Sequence, residues 1–247
     1  MWTSATPGQY QLAPREVRVW AVKLSASDEC ISRCTTILSP EERGRMERFH
    51  FPNLRQNYTL SHAVLRTLLG RLLGVPAGEV VFSFGRNGKP ALAGSARIRF
   101  NMSHSADLAL YAVTLDCCLG VDVERIRPAE DLEHIAARNF HPSESADLLS
   151  LPESDRVDAF FRCWTRKEAY IKAVGDGLSM PLDTFQVTLR RDRPARFVQL
   201  SDGGEWSLHH LDPAPGFVGA VVYRDLPRVL TLEPLATAQE LLVSPRG

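Results

Sequence analysis

Gly120-Val121-Asp122-Val123-Glu124 is an apolar run carrying two carboxylates at alternate positions. The valines flanking Asp122 favour a β-strand. Side chains alternate faces along a strand. Asp122 and Glu124 therefore share one side, roughly 6–7 Å apart, while Val121 and Val123 face the other. Carboxylates that close repel each other. A divalent cation would remove the repulsion, and an all-oxygen site suits Mg2+.

A third carboxylate lies downstream in Trp164-Thr165-Arg166-Lys167-Glu168-Ala169-Tyr170-Ile171-Lys172. Projecting 157–174 at about 100° per residue puts Val157, Phe160, Phe161, Trp164 and Ile171 on one helical arc. Glu168 falls inside that arc and Lys172 at its edge. A lone charge on a core-facing stripe is costly, so Glu168 needs compensation. Two readings stand: an ion pair with Lys172 at i,i+4, or a ligand to the cation of Asp122 and Glu124.

The chain of 247 residues allows one large domain or two small ones. Its 44% hydrophobic and 23% charged content is that of a soluble globular protein. A net charge of zero gives no support to nucleic-acid binding. No apolar run approaches the roughly 18 residues of a membrane span, and no secretory leader is expected at the N-terminus. Cys30, Cys34, Cys117, Cys118 and Cys163 are odd in number and form no CxxC pair. Neither a disulfide framework nor a zinc site is expected, and a reducing cytoplasm fits.

Residues 1–15 read as a loose lead-in. Val17–Val22 reads as a strand. Ser39-Pro40-Glu41-Glu42 has the form of a capping box with proline at the first helical position. A longer helix is expected over Asn57–Leu73, stopped by Gly74. Val80–Phe84 reads as a short strand, followed by the turn Gly85-Arg86-Asn87-Gly88-Lys89-Pro90 with its basic tip. Leu108–Val113 is apolar on both faces, as in a central strand. The polar Ser103-His104-Ser105 step before it is a candidate anion-binding turn. Helices are expected over Asp131–Asn139, Pro142–Leu149 and Asp155–Val174, and a strand over Phe185–Leu189. Trp206–Leu211 and Phe217–Tyr223 read as a last antiparallel pair, and the segment from Asp225 onward as poorly packed.

Ser39-Pro40-Glu41 and His141-Pro142-Ser143-Glu144 each open a short helix followed by a longer apolar one. This weak echo suggests two similar α/β lobes meeting near residues 112–120. The expected fold is therefore mixed α+β. An N-terminal lobe over 16–115 and a C-terminal lobe over 116–225 would each pack a small, mainly antiparallel sheet with helices, leaving a tail over 226–247. The site would gather in the cleft between lobes.

The Gly88-Lys89-Pro90 turn, Phe100-Asn101-Met102-Ser103-His104-Ser105, Gly120–Glu124 and Trp164–Lys172 occur in that order, followed by Gly175-Asp176-Gly177-Leu178-Ser179. Together they resemble the 4′-phosphopantetheinyl transferase superfamily, in its long, monomeric, surfactin-synthetase-activating form, over roughly residues 17–225. The resemblance implies an intramolecular pseudo-dimer. It implies an enzyme that moves the phosphopantetheine arm of coenzyme A onto a serine of an apo-carrier protein and releases 3′,5′-ADP. By the same resemblance Asp122, Glu124 and Glu168 hold Mg2+, Asp122 and Glu168 take part in catalysis, and Lys172 lies near the scissile phosphoanhydride. Ser103 and His104 hold coenzyme A phosphates, and Lys89 and Arg45 are its other basic contacts. Where many relatives carry an Asp-Arg step, this chain has Asn53-Leu54-Arg55-Gln56-Asn57-Tyr58. The alternatives are a coenzyme A- or carrier-binding module without catalysis and a Mg2+-dependent coenzyme A pyrophosphatase.

Overall fold

The computed structural model of the chain describes residues 11–85, 87–94, 97–175, 180–200, 203–225 and 227–243. Most of the lead-in, Arg86 at the hairpin tip, the stretch 176–179 and the last residues of the tail lie outside them.

The first lobe opens with β1 (Glu16–Lys23), whose valines 17, 19 and 22 are buried. Two short helices follow, α1 (Asp28–Cys34) and α2 (Pro40–Glu47). Ser39 and Glu42 close the expected capping box on α2. The long α3 (Pro52–Leu73) starts at Pro52 rather than Asn57, because its polar first turn leaves no mark on the leucine spacing. Gly74, at φ 70°, ends it. A hairpin of β2 (Phe82–Phe84) and β3 (Pro90–Leu92) leads to β4 (Ile98–Ser105) and β5 (Leu108–Leu115). Ser103, His104 and Ser105 are not a turn. They form the end of β4, with His104 paired to Ala109.

The second lobe repeats the plan. It has β6 (Leu119–Arg125), α4 (Leu132–Asn139), α5 (Pro142–Leu149) and the long α6 (Glu153–Val174), stopped by Gly175 at φ 88°. The strand expected over Phe185–Leu189 shrinks to β7 (Gln186–Val187), paired with β8 (Phe197–Gln199). Beyond it Arg166 Nη1 donates to the Thr188 carbonyl. β9 (Trp206–Leu211) and β10 (Phe217–Arg224) pair antiparallel as expected.

The described residues after Asp225 are folded onto the first lobe, contrary to expectation. β11 (Val229–Leu232) runs parallel to β1, with Val229 opposite Glu16. β12 (Ala236–Thr237) also pairs with β1, and α7 (Ala238–Leu242) buries Ala238 and Leu242 in the first lobe's core. Pro227 and Pro234 bracket these pieces and hide their pattern.

The sheets run β11-β1-β5-β4 and β6-β10-β9. In each lobe the first strand pairs antiparallel with the last hairpin strand, which carries its hairpin mate on the far side. Both long helices have 22 residues. The likeness extends to buried charge. Glu42 closes the α2 capping box and accepts from Arg66 of α3 at 2.7 Å. Glu144 closes the α5 box and accepts from Lys167 of α6 at 2.7 Å. The molecule is an intramolecular pseudo-dimer. Its lobes join through an apolar layer of Val17, Val19 and Leu110 against Leu119, Val121 and Val123.

Candidate active site

Three elements meet at the seam between lobes: the end of β4 from one, β6 and α6 from the other. β6 turns Gly120, Asp122 and Glu124 toward α6. A Cβ on Gly120 would lie 2.2 Å from the Ala169 carbonyl oxygen and 2.4 Å from the Ala173 nitrogen. Only glycine allows that approach. The strand therefore lies against the helical turn carrying Glu168 and Lys172.

Lys172 Nζ donates to Asp122 Oδ1 at 2.6 Å and to Ser103 Oγ at 3.0 Å. Ser103 Oγ donates to the same Oδ1 at 2.8 Å. Asp122 Oδ2 is buried and has no hydrogen-bond partner among the described residues. Ser105 Oγ donates to Glu124 Oε2 at 2.6 Å and accepts from the Arg125 amide at 3.2 Å. Asn101 Oδ1 accepts from the Val121 amide at 2.9 Å. Three alternate side chains of β4 thus stitch one lobe to the site strand of the other.

From Ala159 to Ala173, only Trp164, Glu168 and Lys172 escape full burial, each one turn from the next. Glu168 therefore lies on the least enclosed line of this stretch of α6, at the edge of an arc whose Phe160, Phe161 and Ile171 are buried in the core. The i,i+4 ion pair does not form. Lys172 turns to Asp122, and Glu168 makes no hydrogen bond or ion pair among the described residues. Burial pushes the Glu168 carboxyl above its ordinary pKa, and Asp122 and Glu124 add repulsion. Glu124 is also raised, by burial first, with the Ser105 hydrogen bond pulling the other way.

Among the described residues no three His, Cys, Asp or Glu side chains are already gathered as a metal cage. The donor set still fits a hard cation. It is all oxygen, it includes the orphaned Asp122 Oδ2, and burial together with the Asp122 charge raises both Glu124 and Glu168, which Lys172 offsets only in part.

Residues 118–222 match the pattern of the 4′-phosphopantetheinyl transferase superfamily, and residues 23–115 that of the 4′-phosphopantetheinyl transferase N-terminal region. The 4′-phosphopantetheinyl transferase HetI of Nostoc sp. is 38% identical over 218 residues, covering 87% of this chain and 90% of the relative. The chain belongs to the 4′-phosphopantetheinyl transferase superfamily. The transferase Sfp of Bacillus subtilis is 30% identical over 209 residues, covering 83% of this chain and 92% of the relative. This phosphopantetheinyl transferase acts on apo-carrier proteins with coenzyme A as donor, and the binding-only and pyrophosphatase readings are not favoured.

The basic contacts expected of the transferase sit differently. Arg45 is exposed at the end of α2, and its charge reaches both Tyr58 and His62 of α3. Those two rings stack with centroids 3.9 Å apart. His62 also feels the charge of His104, and His104 that of Lys172. His104 lies at the rim. Desolvation lowers its pKa first and the Lys172 ammonium second. Lys89 is the exception. Its ammonium donates to the carbonyls of Leu119, Lys172 and Ala173. A lysine has three donors, so a phosphate contact would have to displace one of these bonds.

Sequence reasoning passed over Tyr58 and His62, and took Asn101 and Ser105 as part of an anion-binding turn rather than as bonds to β6. The spacing Tyr58–His62, one helical turn apart, was the available signal for the first two. The alternation of 101, 103 and 105 on one strand face was the signal for the others.

Proposed function

We propose that the transfer uses Mg2+ held by Asp122, Glu124 and Glu168, with Arg45, His104 and Ser103 on the coenzyme A side. The observation that carries this is the buried, unpartnered Asp122 Oδ2 beside the unpaired Glu168. When bound, the cation supplies Lewis-acid neutralisation of the pyrophosphate charge.

The chain's own groups do the rest. Ser103 and Lys172 fix one Asp122 oxygen, and Ser105 fixes one Glu124 oxygen, so the opposite oxygens keep their direction. Lys172 is close enough to turn its ammonium to the leaving 3′,5′-ADP phosphate. Glu168, free of partners and with a raised pKa, accepts the carrier serine's proton directly or through a water. The serine oxygen forms the new P–O bond as the pyrophosphate P–O bond breaks. Positioning and charge stabilisation are most of what phosphoryl transfer needs.

The enzyme works as a monomer in this reading, since both lobes flanking the site come from one chain. The five cysteines, none of them in a disulfide, suit a reducing cytoplasm. No helix among the described residues is long and apolar enough to cross a membrane.

The test mixes protein, coenzyme A, Mg2+ and a panel of apo-carriers, and reads the mass gain of the arm. Mn2+ binding by paramagnetic resonance is measured in parallel. Undiminished transfer in EDTA, or no cation binding, would remove the assigned metal site.

A further inference from the structure

Lys89 stands in the turn of the β2–β3 hairpin, which belongs to the first lobe. Two backbone bonds close the turn: the Gly85 amide donates to the Lys89 carbonyl at 3.0 Å, and the Gly88 amide to the Gly85 carbonyl at 2.9 Å. From there the Lys89 side chain crosses the lobe boundary. Its Nζ donates to the Leu119 carbonyl at 3.1 Å, the Ala173 carbonyl at 3.2 Å and the Lys172 carbonyl. Asn87 Nδ2 adds a bond to the Gly175 carbonyl at 3.2 Å.

Leu119 is the first residue of β6, and Lys172, Ala173 and Gly175 form the last turn and cap of α6. The last carbonyls of a helix have no partner within it and carry its partial negative charge. A partly buried ammonium with three carbonyl acceptors satisfies both sides. Burial pulls its pKa down, yet every donor is used. The lysine stem packs beside the Gly175 cap, its Cδ 3.5 Å from where a Cβ would stand, an ordinary contact distance.

We infer that Lys89 is a clasp between lobes that positions Lys172, and that it is not a phosphate contact. One ammonium grips the start of the strand carrying Asp122 and the end of the helix carrying Lys172. It holds the backbone of the residue whose Nζ meets Asp122. The inference rests on the proposed role of Lys172, but its structural half does not need it.

Lys89→Met keeps the stem and removes the charge. Its kcat should fall roughly tenfold or more while the KM for coenzyme A moves less than about threefold, as misplacement of a reacting group predicts. Amide exchange at the end of α6 should quicken, above all at Gly175, whose N–H bonds the Ile171 carbonyl. In a Cys118→Ser background, aminoethylation of Lys89→Cys rebuilds an ammonium of the same reach and should restore both. A raised KM with unchanged kcat and exchange, or no change at all, overturns the clasp. If Lys89→Met does not fold, the wild-type protein decides. The clasp requires protection at the α6 end without coenzyme A; protection only after coenzyme A is added overturns it. Exchange needs no turnover, so loss of the clasp and failure of the transfer assignment give different results.

Discussion

Lys172 Nζ and Asp122 Oδ1 stand 2.6 Å apart across the contact between α6 and β6, and the other oxygen of that carboxylate is left buried and bare. The ammonium neutralises one charge in a group of three carboxylates. Lys172→Ala should therefore destabilise the cation-free protein by about 1–3 kcal/mol, below the range for a fully buried pair because Lys172 is partly exposed. Added Mg2+ should recover more stability in this variant than in wild type. Thermal unfolding with and without Mg2+ checks both, and equal melting temperatures throughout would contradict them.

Glu168→Gln removes a charge that the fold does not use. The cation-free protein should be as stable as wild type or slightly more so, because repulsion with Asp122 and Glu124 is relieved. Turnover should fall by about two orders of magnitude, roughly the effect of one lost transition-state charge contact. Carrier modification at saturating coenzyme A measures it. Full activity would return Glu168 to a spectator.

Ser105→Ala frees the Glu124 carboxylate from its one short hydrogen bond. The Mg2+ concentration for half activity should rise about tenfold or more, the usual effect of losing a group that orients a ligand. Mn2+ affinity should weaken in parallel while the melting temperature barely moves. A drop in melting temperature with unchanged cation affinity would make Ser105 only a lobe stitch.

His62 has its pKa lowered to about 4, by burial first. The unfolded chain takes up this proton near 6.5 and the folded protein does not. Its contribution is therefore complete above the unfolded value and is lost as pH falls from 6.5 toward about 4. Urea midpoints across that window should fall for wild type and stay flatter for His62→Gln. Parallel curves would exclude His62 as a source of acid lability.

Glu144 and Lys167 make a wholly buried pair, and Lys167 also donates to the Leu182 and Phe185 carbonyls. Removing one partner strands the other. Lys167→Met should cost about 3–5 kcal/mol. Adding Glu144→Leu should cost less than the sum of the two single changes. Denaturant unfolding of the four proteins measures the coupling.

Asp122, Glu124 and Glu168 were legible in sequence because period-two and period-3.6 spacings survive in the letters. The Ser39–Glu42 capping box was legible because it is local, whereas the box closed by His141 and Glu144 was read only as a helix start. The partner of Lys172 was not legible. A strand 50 residues away competes with Glu168 for its ammonium, and only the glycine contact at Gly120 brings that strand within reach. The bonds of Lys89 to the α6 carbonyls were not legible, because a basic turn looks the same whether it meets phosphate or helix carbonyls. The short strands after Asp225 were lost because edge pairing to β1 leaves no period in four residues. The burial of Lys167 was not legible, since sequence does not show that Glu144 lies beneath it.

Pairing of β11 and β12 with β1, and burial of Ala238 and Leu242 in the first core, bear on the order of synthesis. A ribosome makes β1 first and its outer neighbours only after the whole second lobe has emerged. Until then the outer edge of β1 offers unpaired amides and carbonyls beside an apolar gap, a surface that invites wrong pairing. The first lobe is begun early and closed late, so the nascent chain completes that lobe's sheet and core only once residues 229–242 have cleared the exit tunnel.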